Sequence, residues 1–186
     1  FYFSKNLSAL GEGGIVLSND EKVTEEVKKL RMHGQTGRYT HQCLGYNARL
    51  DELQAVVLRL KLRKLEGWNR KRQEIASLYT TLLEGTPLTL PQNLSGRESV
   101  FHLYVVRGPR RDQLADHLKA LGIGVGVHYP IPSHLQPALA NLGYKEGSLP
   151  VCERVAKEIL TLPMYPHMKE EEVRYTVEGI RSFYGL

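Results

Sequence analysis

Phe1-Tyr2-Phe3-Ser4-Lys5-Asn6-Leu7, followed by Ser8-Ala9-Leu10-Gly11-Glu12-Gly13-Gly14 and then Ile15-Val16-Leu17, is the stretch on which the reading of this chain turns. An aromatic, strand-like segment ends on a lysine. A turn of small residues and glycines follows, and a second short β-type run closes at Ser18-Asn19-Asp20. Such a string presents an amine at a strand terminus, where close backbone approach is needed and a bulky side chain would obstruct. A lysine in a loop is ordinarily a solvated surface charge; the flanking string is what singles out Lys5. Gly11, Gly13 and Gly14 match neither a Walker A pattern nor a dinucleotide fingerprint, so they read as turn geometry beside the lysine. Tyr2 reads as core filler.

Beyond this turn, Asp20 is placed to cap a helix running from Glu21 to Met32, with Val23, Val27 and Leu30 on one face. Acidic residues crowd its first turns, and Lys28, Lys29 and Arg31 its last, which suits the helix dipole. His33-Gly34-Gln35-Thr36-Gly37 breaks the helix, and a polar, glycine-containing loop runs on to Asn47. Leu50 to Leu83 is the longest periodic segment: Leu50, Leu53, Val56, Val57, Leu60, Leu65, Trp68, Ile75, Leu78 and Leu82 recur at three- and four-residue steps, with Gly67 as a bend. So long a helix reads as a connector between two packing units. The remainder alternates strand and helix. Strands are expected at Val100–Val106 and Gly124–His128, and helices at Arg111–Leu121, Leu135–Leu142, Val151–Leu160 and Lys169–Phe183. Short strands with crossover helices make an α/β sandwich.

Composition narrows the function classes. The 186 residues are 41% hydrophobic and 24% charged, the balance of an ordinary globular chain. No apolar run is long enough to span a bilayer. Cys43 and Cys152 show no metal-ligand spacing and read as two reduced thiols. The densest basic cluster is Arg59, Lys61, Arg63, Lys64, Arg70, Lys71 and Arg72. It alternates with Leu60, Leu62, Leu65 and Trp68, as on the wet face of an amphipathic helix, which argues against a nucleic-acid patch.

The opening string resembles the cofactor-lysine segment of the DegT/StrS-type nucleotide-sugar aminotransferases, which use pyridoxal 5'-phosphate (PLP). Four further segments resemble that family in order: Leu44-Gly45-Tyr46-Asn47-Ala48-Arg49-Leu50-Asp51-Glu52-Leu53-Gln54-Ala55, Phe101-His102-Leu103-Tyr104-Val105-Val106, Gly122 through Pro132, and Leu162-Pro163-Met164-Tyr165-Pro166. The resemblance implies an α/β chain forming the C-terminal part of a fold-type-I PLP transferase. Residues 1–48 would end the large cofactor domain, 49–84 form the long connecting helix, and 85–186 form the small α/β sandwich domain. It implies transfer of an amino group, with glutamate the usual donor, to a nucleotide-linked keto-sugar for surface polysaccharide or antibiotic sugars, in a cytoplasmic homodimer. Some relatives aminate cyclitol ketones instead. Since the chain opens at Phe1 without Met, further expectations are that the other cofactor contacts lie upstream and that the chain alone does not turn over. Two rivals are a catalytically incompetent domain and a DNA-associated regulator.

The resemblance also assigns residues. Lys5 falls where the family attaches its cofactor; a dehydrating subgroup has His there, so Lys5 favours transamination. Of the twenty side chains only lysine combines nucleophilicity, reach and a depressible pKa for that role. Asn47 falls where the family contacts the cofactor phosphate of the other subunit. On residues alone it reads equally as an Asn satisfying backbone at a helix start. Arg49 either pairs with Asp51 or Glu52 or holds a phosphate or carboxylate in two-pronged fashion. His128 and Tyr129, at a strand end before Pro130-Ile131-Pro132, fall in the family's substrate loop; a structural role for both is the alternative. His33 and His102 are weaker candidates.

Overall fold

The computed structural model describes residues 1–186, and contacts divide it at Glu66–Gly67 into two compact units. The first carries α1 (Glu21–Leu30), a two-stranded antiparallel ribbon β1 (Gln35–Gly37) and β2 (Thr40–His41), and α2 (Glu52–Leu62). In α1 the Asp20 carboxylate accepts the Lys22 amide at 2.8 Å, and its carbonyl receives the Thr24 amide. The helix stops at Leu30, two residues short of expectation, because His33 and Gly34 turn into left-handed backbone with φ of 61° and 71°.

The chain leaves α1 through a stitched loop. The amides of Tyr46, His33 and Ala48 bond Leu30, Tyr46 and Arg31 carbonyls at 2.7, 3.0 and 3.0 Å, and Met32 bridges Asn47. Two glycines make the approach possible. A Cβ on Gly34 would lie 1.9 Å from the Cys43 carbonyl oxygen, and one on Gly45 would lie 2.1 Å from the Gly34 nitrogen. Glycine alone tolerates both the positive φ and the contact. The ribbon β1–β2 inside this loop has too few residues to show any period, which is why sequence pattern does not reveal it.

Three expectations fail at the front of the chain. Ile15–Leu17 is not a strand: no segment of the chain bonds to it, and all three side chains are well exposed. Alternating apolar residues supply propensity, but a strand exists only where a neighbour accepts its ladder. Phe1–Phe3 likewise leads into a turn closed by the Lys5 amide on the Tyr2 carbonyl at 2.9 Å. Tyr2 is not core; its ring is half-exposed and leans on Phe3.

The long periodic segment is interrupted at Arg63–Lys64, where α2 ends and α3 (Leu65–Leu82) begins; Gly67, expected as the bend, lies inside α3. From Gly67 onward the second unit comprises most of α3, β3 (Tyr104–Arg107), α4 (Arg111–Ala120), α5 (Pro150–Glu158), β4 (Ile159–Leu162) and α6 (Glu170–Tyr184). β3 and β4 pair antiparallel, Tyr104 opposite Leu162 and Arg107 opposite Ile159. Single bridges extend this sheet on both sides, Thr89 to Arg107 and Gly126 to Thr161. The expected strand Gly124–His128 is thus one bridge, and Leu135–Leu142 is two short 3₁₀ turns, Ser133–Leu135 and Pro137–Leu142. β4 takes the place of the expected helix tail at Ile159–Leu160. All four of its residues are buried, so it has no polar face to reveal period two.

The core of this unit gathers Tyr79 and Leu83 of α3, Tyr104 and Val106 of β3, Leu114 and Leu118 of α4, Leu160 and Leu162 of β4, and Val173 and Ile180 of α6. Tyr79 and Tyr104 stack at 5.0 Å, and the Tyr79 hydroxyl donates to the Pro163 carbonyl at 3.1 Å. Arg72, expected on a wet face, is buried instead. One guanidinium nitrogen donates to the carbonyls of Phe101, His102 and Met164 at 3.1–3.2 Å, and burial pulls its pKa down. The helix period is as expected; which face meets the core is decided by packing.

Candidate functional site

Lys5 stands on an exposed loop whose backbone is closed by its own amide and by the Ala9 amide on the Phe1 carbonyl, 2.9 Å each. Its ammonium enters no ion pair, so the amine is uncommitted. Ser8 and Ala9, three and four residues on, are buried at 8% and 1% exposure. Two side chains of α2 hold them. The Lys61 ammonium donates to the Ser8 carbonyl and hydroxyl at 2.9 and 3.0 Å, and the Gln54 side-chain oxygen accepts the Leu10 amide at 2.8 Å. Sequence reasoning missed both. Lys61 falls within the basic cluster expected in solvent, and nothing in a one-dimensional pattern tells a lysine reaching back to a loop from one in water.

Asn47 and Arg49 share the stitched loop. The Arg49 Nε donates to the Asn47 Oδ1 at 3.3 Å, which turns the amide so that its N–H groups are left for another acceptor. The helix-start reading of Asn47 fails, because the residue preceding α2 is Asp51 and Asn47 bridges Met32. The expected pairing of Arg49 with Asp51 or Glu52 fails too: neither carboxylate forms an ion pair with it. No hydrogen bond joins Lys5 to Asn47 or Arg49.

In the second unit, His128 and Tyr129 follow the Gly126 bridge. The His128 Nδ1 lies 2.8 Å from the Thr161 hydroxyl of β4, leaving Nε2 to solvent. A Cβ on Gly126 would come within 2.9 Å of that ring, so this glycine lets the imidazole fold back on the sheet. Tyr129 is 69% exposed. A second histidine was not anticipated: His134 is buried, and its Nε2 lies 2.9 Å from Glu153 of α5. That carboxylate also accepts the Gly147 and Leu149 amides at 2.8 and 3.1 Å. The Gly147 amide first, then His134 and Leu149, hold its pKa below the usual carboxylate value. His33 engages through its backbone, its amide donating to the Tyr46 carbonyl and its carbonyl lying 3.0 Å from the His41 Nδ1.

The donor set fits PLP in kind: an uncommitted amine on a bonded loop, and an amide N–H pair beside a guanidinium suited to phosphate. The α/β architecture is that of the C-terminal part of a PLP transferase. Similarity to solved structures bears this out. It superposes on DesV of S. venezuelae, solved in complex with a ketimine intermediate, with a TM-score of 0.94 at 41% identity, covering 98% of this chain and 50% of that one. A DegT DnrJ EryC1 StrS aminotransferase from Brucella abortus matches with a TM-score of 0.92 at 33% identity, over 100% of this chain and 50% of that one.

Residues 1–181 match the DegT/DnrJ/EryC1/StrS aminotransferase family, and the chain belongs to it. It is 48% identical to the pleiotropic regulatory protein of Geobacillus stearothermophilus, over 99% of this chain and 50% of that protein. It is 41% identical to the dTDP-3-amino-3,4,6-trideoxy-alpha-D-glucose transaminase of Streptomyces venezuelae, over 98% of this chain and 48% of that protein. The chain spans about half the length of the curated relatives it matches.

Proposed function

We propose that the protein containing this chain is a PLP-dependent aminotransferase that converts a nucleotide-linked keto-sugar to an amino sugar, taking the amino group from an amino acid such as glutamate. The observation that carries this reading is the uncommitted Lys5 amine on a hydrogen-bonded loop, in a chain of an aminotransferase family. Atoms balance simply: the donor's C–NH₂ becomes a ketone while the sugar's ketone becomes C–NH₂. When bound, PLP supplies the electron sink that makes the donor's α-proton removable. The chain's own contribution is the Lys5 amine, which takes that proton and returns it at the neighbouring carbon. Asn47, its amide oriented by Arg49, donates to the cofactor phosphate of a second subunit, and Arg49 adds positive charge there or at a substrate carboxylate. His128 Nε2 and Tyr129 face the sugar nucleotide.

In this reading residues 1–48 end the cofactor domain, 49–84 connect, and 85–186 form the small domain, while the remaining cofactor groups come from outside the chain. The 186 residues alone then give no turnover. A homodimer is supported by the exposed apolar side chains Leu44, Tyr46, Leu53, Val56 and Leu60 near Asn47 in sequence. A cytoplasmic setting accords with the sugar-nucleotide substrate; no helix is long and apolar enough to cross a membrane.

Borohydride reduction of the PLP-loaded complete protein, followed by peptide mapping, tests the central assignment. A pyridoxyl group on Lys5 is expected; the same group confined to another lysine refutes it. Mixing Lys5→Ala with Asn47→Ala subunits tests the shared site, with partial recovery of activity expected. Salt-sensitive DNA binding without PLP uptake would instead favour the regulator that one relative's name suggests.

A further inference from the structure

We propose that Gln54 and Lys61 are positioning residues that fix, from α2, the loop bearing Lys5, a role that rests on the assignment of Lys5 as the reactive amine. The loop has little order of its own. Residues 1–14 form no helix or strand, and among its backbone hydrogen bonds are those of the Lys5 amide to Tyr2 and the Ala9 amide to Phe1. Gln54 and Lys61 lie seven residues apart on α2, two helical turns along one face, and they grip the loop at Leu10 and Ser8. Between those grips lies Ala9, at 1% exposure.

The residue types suit the task. Ser8 presents two oxygens, carbonyl and hydroxyl, and an ammonium has three donors to spend on them. Lys61 has no carboxylate partner, so its charge is solvated by loop oxygens rather than cancelled. Gln54 supplies an acceptor for an otherwise open amide. Together they register Lys5, three residues before Ser8, against a rigid helix. Displacing a reacting group by about 1 Å costs on the order of 100-fold in rate, so a loop with no helix or strand of its own needs such an anchor.

The test uses the complete protein with PLP and two readouts, amide hydrogen exchange at Lys5 and Ala9 and steady-state kinetics. Lys61→Met and Gln54→Leu should each speed exchange at both amides about 10-fold or more and lower kcat about 10-fold or more with KM little changed. Gln54→Glu keeps the acceptor and should stay near wild type in both. Exchange at Tyr46 and Ala48, whose amides bond the Leu30 and Arg31 carbonyls in the same unit, should not move; faster exchange there identifies a variant whose unit has simply unfolded, and Gln54→Leu then stands in for Lys61→Met. Unchanged exchange and kcat in folded Lys61→Met and Gln54→Leu overturns the proposal, as does a Gln54→Glu variant as impaired as Gln54→Leu. If instead Lys5→Ala retains turnover, the lysine assignment falls, while exchange still reports whether α2 orders the loop.

Discussion

The two units hold their shapes by different means. In the second, aromatic and aliphatic side chains from three helices and two strands are buried together, with Tyr79, Tyr104, Val106, Leu118, Val173 and Ile180 fully enclosed. In the first, Ala9 and Leu58 are the apolar residues buried, while Ile15, Val16, Leu17, Leu44, Leu53 and Leu60 face outward. Its order comes from backbone bonds around Gly34 and Gly45 and from the reach of Gln54 and Lys61. Burial supplies roughly 25 cal/mol per Å² of apolar surface, whereas a single hydrogen bond nets about 1 kcal/mol. The unit that carries Lys5 and Asn47 is therefore the more easily deformed of the two. The segment bearing Lys5 is held instead by local hydrogen bonds, from Lys61 to Ser8 and from Leu10 to Gln54.

That contrast can be broken most sharply at the amine. With Lys5 as the proposed amine, Lys5→Ala should abolish transamination by the complete protein while leaving the thermal unfolding of its PLP-free form nearly unchanged, since the ammonium enters no ion pair. Next in size is the core. Leu118→Ala, at a fully buried position, should cost about 2–5 kcal/mol by urea unfolding, and Val56→Ala, half-exposed on α2, under about 0.5 kcal/mol. Equal costs would mean the units are not built differently. In the first unit, Gly34→Ala should destabilise by about 1–3 kcal/mol or more, through positive φ and the collision with Cys43, and should raise hydrogen exchange at Tyr46 and Ala48 without touching Val106. Tyr79→Phe removes one hydroxyl bond to Pro163 and should cost about 1 kcal/mol.

The smallest effect is one of pH. The Glu153 carboxylate has a pKa held below its usual 4.5 in the folded chain. A depressed folded pKa contributes stability above the unfolded value, lost as pH falls through the folded one. Melting temperature should thus drop below about pH 4.5 in wild type, and Glu153→Gln should lessen that dependence. An undiminished slope in the variant would show that other carboxylates carry it.

Much of this was legible in one dimension. The capped helix after Asp20, the helical periods of α2 to α3, α4 and α6, and the five family-like segments all announced themselves, because caps and periods are local chemistry. Ile15–Leu17 misled for a definite reason: propensity is local, but a ladder needs a partner. β4 hid because burial on both faces erases alternation, and Arg72 and Lys61 hid because charge in sequence does not say what the charge will meet.

The sequence by itself determined the family, the α/β class and the identity of Lys5 and Asn47 as the residues to examine, since a motif is a list of side chains and needs no coordinates to be recognised. Tertiary structure alone decided that Asn47 bonds Arg49 rather than capping α2, that His128 folds onto Thr161, that His134 and Glu153 pair, and that Lys61 grips Ser8. Each of those contacts joins groups whose partner was one of many polar atoms within reach of the unfolded chain. The fold selected one by placing it within reach, and for the part-buried contacts of His128, His134 and Lys61 a donor or acceptor left without a partner would cost more than the bond returns.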